Sequence, residues 1–206
     1  MLNRFLARQS GHPTGLLGWF VLGPLWNRRN AALNDLALAQ LDLRSDDRVL
    51  EVGFGGGYLL GRMAAAVTEG SLDGVDISLE MADFVAHRHR DLIRRRLLTV
   101  YCAPAENLPF PDRVFTKACS VNSLFYWSDP AQALAEIARV LQDRGRLVLV
   151  FTDRASLERK GFAGHGLRLH DASEGQKLLT AAGFRLLRSI DAEDRHRRFT
   201  CLVGER

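Results

Sequence analysis

The residues with the clearest chemical purpose stand at alternate positions: an acid, Glu51, and three glycines, Gly53, Gly55 and Gly57. They come at the end of a short apolar run over 49–52, which is too short for a helix and predicts a buried parallel strand. Glycines let the backbone turn sharply, and without a Cβ they let a ligand approach the backbone closely. The pattern therefore predicts a turn that binds a nucleotide-like ligand.

Residues 58–67 follow this turn and predict a helix. Strand, glycine turn and helix in that order place a ligand at the carboxyl end of a parallel sheet. The dinucleotide fingerprint G-x-G-x-x-G needs a third glycine three positions after the second, but Tyr58 and Leu60 occupy those positions here. A dinucleotide is therefore not favoured. Considered alone, the stretch is also compatible with a glycine-rich turn in an unrelated α/β protein.

The E-x-G-x-G-x-G pattern resembles the first motif of the class I S-adenosylmethionine-dependent methyltransferases. In that family the strand-end acid and the glycine turn hold the methionine portion of the cofactor, and the resemblance implies this role for Glu51, Gly53, Gly55 and Gly57. The cofactor has no pyrophosphate, so the dinucleotide spacing of glycines is not required. The implied cofactor is S-adenosyl-L-methionine, and the implied product is S-adenosyl-L-homocysteine.

A second acid, Asp76, ends the strand predicted over 72–77 and lies 23 positions after Gly53. If the two strands are parallel neighbours, Asp76 lies beside the glycine turn and could accept hydrogen bonds from two ribose hydroxyls. The alternative is that it caps the next helix, for which Ser78 is better placed. The resemblance implies the ribose role, and it implies that Ile77 contacts one face of the adenine.

A third segment, 103–110, resembles the family's D-A-E-x-L-P-F sequence, which wraps the adenine. The resemblance implies cofactor contacts from Ala105 and Glu106, whose backbone N–H groups could reach a ring nitrogen. The chain departs from the family at Pro104, where an aspartate often accepts a hydrogen bond from the adenine amino group. That hydrogen bond must be missing here or come from another residue.

The methyl acceptor is expected at the end of the strand predicted over 114–121, which faces the same crevice. Asn122 and Tyr126 supply polar groups there and are candidate catalytic residues, and Asn122 is also expected to contact the cofactor. Trp127 would form an aromatic wall. Simple core packing of Tyr126 and Trp127 is the alternative.

A third catalytic candidate is His165, in a glycine-rich segment over 154–169 that could cover the substrate pocket. A solvated loop histidine is the alternative. The sequence contains no obvious base or metal-binding cluster, which in-line methyl transfer tolerates because positioning and desolvation can supply much of its catalysis. The three cysteines have no metal spacing, so we expect no metal site and a reducing, cytoplasmic location.

The length of 206 residues predicts one globular domain. We expect a helical arm or lid over 1–44 and a cofactor-binding domain over 45–206. The apolar run over 16–26 is too short to span a bilayer, and it could be a lid, a membrane-surface contact or part of the core. The sequence leaves the oligomeric state open.

The net charge of +4 does not by itself favour a nucleic-acid partner. The helix predicted over 78–96 ends in several arginines, which suit a helix C-terminus and are most often solvated. RNA or another anionic partner is the alternative for this basic end.

The family resemblance runs over 49–149, and its pattern is similar to the small-molecule group that includes the quinone methyltransferases. It implies a Rossmann-like, doubly wound α/β fold. Its sheet would have seven strands, mostly parallel with one antiparallel strand, and helices on both faces. The predicted function is methyl transfer to a small-molecule acceptor. The alternatives are a nicotinamide-dependent oxidoreductase and a non-catalytic cofactor-binding or RNA-binding protein.

Overall fold

The computed structural model describes residues 30–162 and 166–206, which build one seven-stranded sheet with helices on both faces. The strands are β1 (Arg48–Val52), β2 (Ser71–Asp76), β3 (Leu98–Cys102), β4 (Phe115–Val121), β5 (Leu141–Thr152), β6 (Arg185–Glu193) and β7 (Arg198–Glu205). The helices are α1 (Ala31–Leu41), α2 (Tyr58–Met63), α3 (Leu79–Arg88), α4 (Arg90–Arg94), α5 (Pro130–Val140), α6 (Arg154–Arg159) and α7 (Ala172–Ala181).

The sheet order is β3-β2-β1-β4-β5-β7-β6. Strands β1 to β5 pair in parallel, and β7 runs antiparallel to both of its neighbours, β5 and β6. The chain leaves β1 towards β2 on one side and returns to β4 on the other. The carboxyl ends of β1 and β4 therefore form the point at which ligands bind in open α/β sheets. The predicted fold is confirmed.

Alternate residues of the central strand enter two different cores, because successive side chains of a strand point to opposite faces. Val49 packs with Leu33 of α1 and Val85 of α3 on one face. Leu50 packs on the other face, in the core that includes Leu134 of α5. This double burial explains why residues 49–52 of β1 are apolar except for Glu51.

Several element boundaries differ from the prediction. Helix α2 ends at Met63, and the chain then bends back as the N–H groups of residues 68–70 all donate to the carbonyl of Ser45. The helix predicted over 78–96 is two helices that meet at His89. Part of the segment expected to be irregular is helix α6, which begins where the carboxylate of Asp153 accepts the N–H of Ser156.

The predicted arm is described only from residue 30 onwards. Helix α1 packs on the same core as β1, and the division at residue 44 stays a prediction. The run over 16–26, with its proposed lid or membrane contact, lies outside the described residues. Among the helices of the described ranges, none has both the length and the apolar character that a membrane crossing requires.

Candidate cofactor site

The turn after β1 takes its shape from three glycines in the left-handed region, with φ of 77° at Gly53, 49° at Gly55 and 68° at Gly57. Residues with a side chain rarely adopt such angles. The N–H of Gly53 still donates to the carbonyl of Val75 at 2.7 Å, so the ladder between β1 and β2 continues to the start of the turn. The alternate spacing of the glycines thus matches alternate positive φ angles.

The three glycines differ in what a side chain would meet. A Cβ on Gly53 would lie 2.6 Å from the Cβ of Ser123, and one on Gly57 would lie 2.8 Å from a methyl group of Val85. A Cβ on Gly55 would have no described atom within 4 Å. Protein atoms therefore exclude a side chain at the first and third glycines, whereas the middle glycine borders space that no described residue fills.

Asp76 lies beside this turn, as predicted. Its Oδ2 accepts the N–H of Gly55 at 2.9 Å, and its Oδ1 accepts the N–H of Ser78 at 3.0 Å. The side chain of Ser78 caps α3 by accepting the N–H of Met81. Because each carboxylate oxygen accepts a different backbone N–H, the two bonds fix the orientation of the Asp76 side chain at the end of β2.

Glu51 is buried, with 3% of its surface exposed. Burial, and secondarily the charge of Asp76, raises the pKa of Glu51 to about 8, against the opposing effect of the N–H of Leu60, which donates to the carboxyl group. Its Oε2 has no hydrogen-bond partner among the described residues. Glu51 is therefore protonated at neutral pH and has one buried oxygen without a described partner.

Asn122 follows β4 with a left-handed backbone, φ 60°. Its Oδ1 accepts two hydrogen bonds from Thr152, from the N–H at 3.1 Å and from the hydroxyl at 2.8 Å. Its Nδ2 lies 3.4 Å from Oδ1 of Asn30. The carboxamide thus joins the carboxyl ends of β4 and β5 to the start of α1.

The aromatic residues after β4 have different surroundings. Tyr126 is half-buried, on a short 3-10 turn (Leu124–Tyr126), with its ring centroid 4.5 Å from that of Phe125. Trp127 is buried and belongs to the hydrophobic core, so the core-packing alternative holds for it. His165 lies outside the described residues. The N–H of Arg168 donates to the carbonyl of Phe125, so Arg168 lies against the 3-10 turn.

Side chains of the predicted adenine segment attach it to the rest of the fold. Ala105 is buried, and the carboxylate of Glu106 accepts the hydroxyl of Ser128 at 2.9 Å and the N–H of Asp129 at 3.1 Å. Partial burial acts to raise the pKa of Glu106, but these hydrogen bonds outweigh it and lower that pKa. The Glu106 side chain therefore joins this segment to the start of α5. Ile77, at the end of β2, is 53% exposed.

One residue near the crevice was missed by the sequence analysis, which interpreted its segment only as a charged turn. Arg197, between β6 and β7, donates from Nη1 to Oδ1 of Asn30 at 3.0 Å, and the same nitrogen lies 3.5 Å from the hydroxyl oxygen of Thr152. Its side chain is 8% exposed. No local pattern could have indicated this position, because it depends on β7 entering the sheet next to β5.

Comparisons with known proteins agree with this architecture. A family model described as a methyltransferase domain matches residues 50–149. The uncharacterized methyltransferase YdaC of Bacillus subtilis is 28% identical over 134 residues, which are 65% of this chain and 72% of that protein. Other curated relatives match over 34% to 64% of their own length.

Two solved structures share the fold. The [4+2]-cyclase SpnF has a TM-score of 0.76 and 23% identity, over 88% of this chain and 82% of that one. Geranyl diphosphate C-methyltransferase from Streptomyces coelicolor, in complex with Mg²⁺, geranyl diphosphate and S-adenosyl-L-homocysteine, has a TM-score of 0.74 and 16% identity, over 87% and 80%. At these identities the likeness concerns the fold alone.

The domain match, the relatives and the sheet order agree with the glycine turn and its two acids. These findings support a class I S-adenosylmethionine-dependent methyltransferase.

Proposed function

We propose that this protein transfers the methyl group of S-adenosyl-L-methionine to a small-molecule acceptor. The observation that carries the proposal is the open space at Gly55, beside the carboxylate of Asp76 and close in sequence to the buried carboxyl of Glu51. A ligand that needs close backbone contact and two acidic neighbours fits this place. S-adenosyl-L-methionine has a ribose diol and an ammonium group, which can donate hydrogen bonds to the carboxyl oxygens of Asp76 and Glu51.

In this proposal each acid receives a different part of the cofactor. The Asp76 carboxylate, held in place by the N–H groups of Gly55 and Ser78, accepts the ribose hydroxyls. The partnerless Oε2 of Glu51 accepts a hydrogen bond from the ammonium end. The exposed side chain of Ile77 covers one face of the adenine, and the backbone of Ala105 and Glu106 borders its edge.

When bound, the cofactor supplies a methyl group on a positively charged sulfur, so the chain's own task is to position the acceptor and exclude water. We assign acceptor positioning to the carboxyl end of β4, where Asn122 and Tyr126 lie. Asn122 holds this end against β5 through its bonds to Thr152. His165 stays a candidate base from the sequence.

The proposal is tested by titration calorimetry of the purified chain with S-adenosyl-L-methionine, S-adenosyl-L-homocysteine and NAD. We expect binding of both sulfur nucleotides and none of NAD. Binding of NAD alone, or of no nucleotide, would contradict the proposal.

A matched pair of glycine variants sharpens this test. Gly55 and Gly183 both have positive φ, 49° and 90°, and a Cβ at either position would meet no described atom within 4 Å. Alanine is strained in the left-handed backbone region, so both Gly→Ala variants should lose a similar free energy of unfolding, about 1–2 kcal/mol. Only Gly55→Ala should also lose affinity for S-adenosyl-L-homocysteine, because its methyl group would enter the proposed cofactor space.

A further inference from the structure

The ring of His89 lies across the glycine turn and the first turn of α2. Its Nε2 is 2.9 Å from the carbonyl oxygen of Gly57. Its Cδ2 lies 3.3 Å from the place a Cβ would take on Gly57, and its Cε1 lies 2.8 Å from the place a Cβ would take on Gly61. The half-buried ring thus fills the space that these two glycines leave.

The hydrogen bond from His89 is accepted by the last peptide group of the glycine turn, the one between Gly57 and Tyr58. The carbonyl of Gly57 also accepts the N–H of Gly61 at 3.2 Å, so it has two donors on the helix side. In a trans peptide the C=O and the following N–H point in opposite directions. Holding this carbonyl against His89 therefore directs the N–H of Tyr58 away from α3.

Gly57 is the residue before α2, and it has no side chain with which to cap that helix. Val85 packs against the same glycine, but only through methyl groups. Among the described residues, His89 is the side chain that donates a hydrogen bond to the carbonyl of Gly57. Burial lowers the pKa of His89, against the opposing effect of the Gly57 carbonyl, so a neutral ring with its proton on Nε2 is the donor at neutral pH.

His89 also occupies the break between α3 and α4, where the sequence predicts an uninterrupted helix. It follows the last residue of α3 and precedes the first residue of α4, with φ −109° and ψ 27°. The break gives the ring its direction towards α2, since a continuing helix would require helical angles at this residue.

We infer that His89 is a positioning residue for the cofactor turn, which it holds in the shape that S-adenosyl-L-methionine requires. This inference rests on the proposed function. The contacts of His89 described above are with Gly57 and Gly61, so its effect is expected on cofactor binding.

The test compares His89→Phe, which keeps a ring of similar size without a donor, with His89→Gln, which keeps an amide donor. His87→Phe is the matched control, because His87 is exposed on the same helix two residues earlier. We expect His89→Phe to weaken binding of S-adenosyl-L-homocysteine about three- to tenfold, the usual effect of one hydrogen bond. His89→Gln should recover much of the affinity, and His87→Phe should match the wild type.

A second measurement needs no cofactor. Amide hydrogen exchange at Gly57 and Tyr58 should be faster in His89→Phe than in the wild type and in His87→Phe. If the wild type binds no sulfur nucleotide, the proposed function is wrong, and the exchange rates still decide whether His89 holds the turn. Unchanged exchange, or equal losses of affinity in His89→Phe and His89→Gln, would overturn the inference and leave the ring as a space-filling group.

Discussion

At the scale of single residues, the two acids beside the glycine turn have different surroundings. Glu51 is buried, and burial raises its pKa to about 8. Asp76 accepts hydrogen bonds from the backbone N–H groups of Gly55 and Ser78, which fix the orientation of its side chain. The Glu51 carboxyl group instead has one buried oxygen without a described partner.

The raised pKa of Glu51 predicts how stability depends on pH. Between the ordinary value of 4.5 and about 8, the folded chain retains a proton that the unfolded chain releases. The free energy of unfolding therefore falls as pH rises through this window and levels off above it. Glu51→Gln has no titrating proton at this position. The free energy of unfolding of this variant, relative to that of the wild type, should therefore be higher at pH 8.5 than at pH 5 by roughly 2–4 kcal/mol.

Urea denaturation of the wild type and of Glu51→Gln at both pH values measures this difference. Parallel pH dependence in the two proteins would show that Glu51 titrates normally in the fold.

Asp76 is predicted to matter for ligand binding. Asp76→Ala removes the proposed partner of the ribose hydroxyls together with the acceptor that holds the N–H of Gly55. Affinity for S-adenosyl-L-methionine should fall by about 1–3 kcal/mol, the range for hydrogen bonds to a charged group. Calorimetry measures it, and an unchanged dissociation constant would exclude the ribose role.

At the scale of elements, the turn between β1 and α2 depends on neighbours that are distant in sequence. Ser123, after β4, lies against Gly53, and Val85 and His89 of the α3 region lie against Gly57. The turn is therefore shaped by the elements on both sides of β1. The effect of a substitution in the turn on protein stability can thus be separated from its effect on ligand affinity.

Gly53→Ala is the variant that should affect the fold most directly. Its Cβ would be 2.6 Å from the Cβ of Ser123, whereas a Cβ on Gly183, also at positive φ, would meet no described atom. Overpacking of this kind is worth about 1–3 kcal/mol, so Gly53→Ala should be less stable than Gly183→Ala by about that amount. Thermal or urea unfolding measures the difference.

The clash itself can be relieved. Adding Ser123→Gly to Gly53→Ala removes the opposing carbon and should restore part of the lost stability. If the double variant is no more stable than Gly53→Ala, strain of the backbone and not the contact with Ser123 accounts for the loss.

At the scale of the whole molecule, four distant parts of the chain meet at the carboxyl ends of β4 and β5. Asn30 before α1, Asn122 after β4, Thr152 at the end of β5 and Arg197 between β6 and β7 are linked by side-chain hydrogen bonds. The buried guanidinium of Arg197 also lies 4.0 Å from the carboxylate of Asp194. The antiparallel hairpin thus supports the end of the crevice from the far side.

Arg197→Ala should destabilise the protein by about 2–4 kcal/mol, because removing one partner of a buried ion pair leaves the other charge uncompensated. Arg195→Ala is the control, since Arg195 is exposed in the same turn and a surface substitution should stay within about 0.5 kcal/mol. Urea unfolding of both variants gives the comparison. Equal stability of the two would show that Arg197 is not structurally important.

The features of this protein that the sequence predicts depend on short, local patterns of residues. Continuous apolar runs such as 49–52 predict buried parallel strands, and the acid and glycine spacing after β1 predicts both the turn and its family. The relation of Asp76 to the turn was also predictable, because adjacent parallel strands end at the same edge. Boundaries were less predictable: a helical pattern continues through His89, although one helix ends before this residue and another begins after it.

Local pattern thus determines which segments are strands, where the turn lies and which acids stand at the strand ends, since these depend on neighbours a few residues apart. Other properties depend on contacts between residues tens to more than a hundred positions apart. The folded structure alone decides that Glu51 is protonated, that Ser123 and His89 shape the turn, and that Arg197 reaches Asn30. Burial, close packing and hairpin placement are properties of the assembled sheet, so no spacing along the chain encodes them.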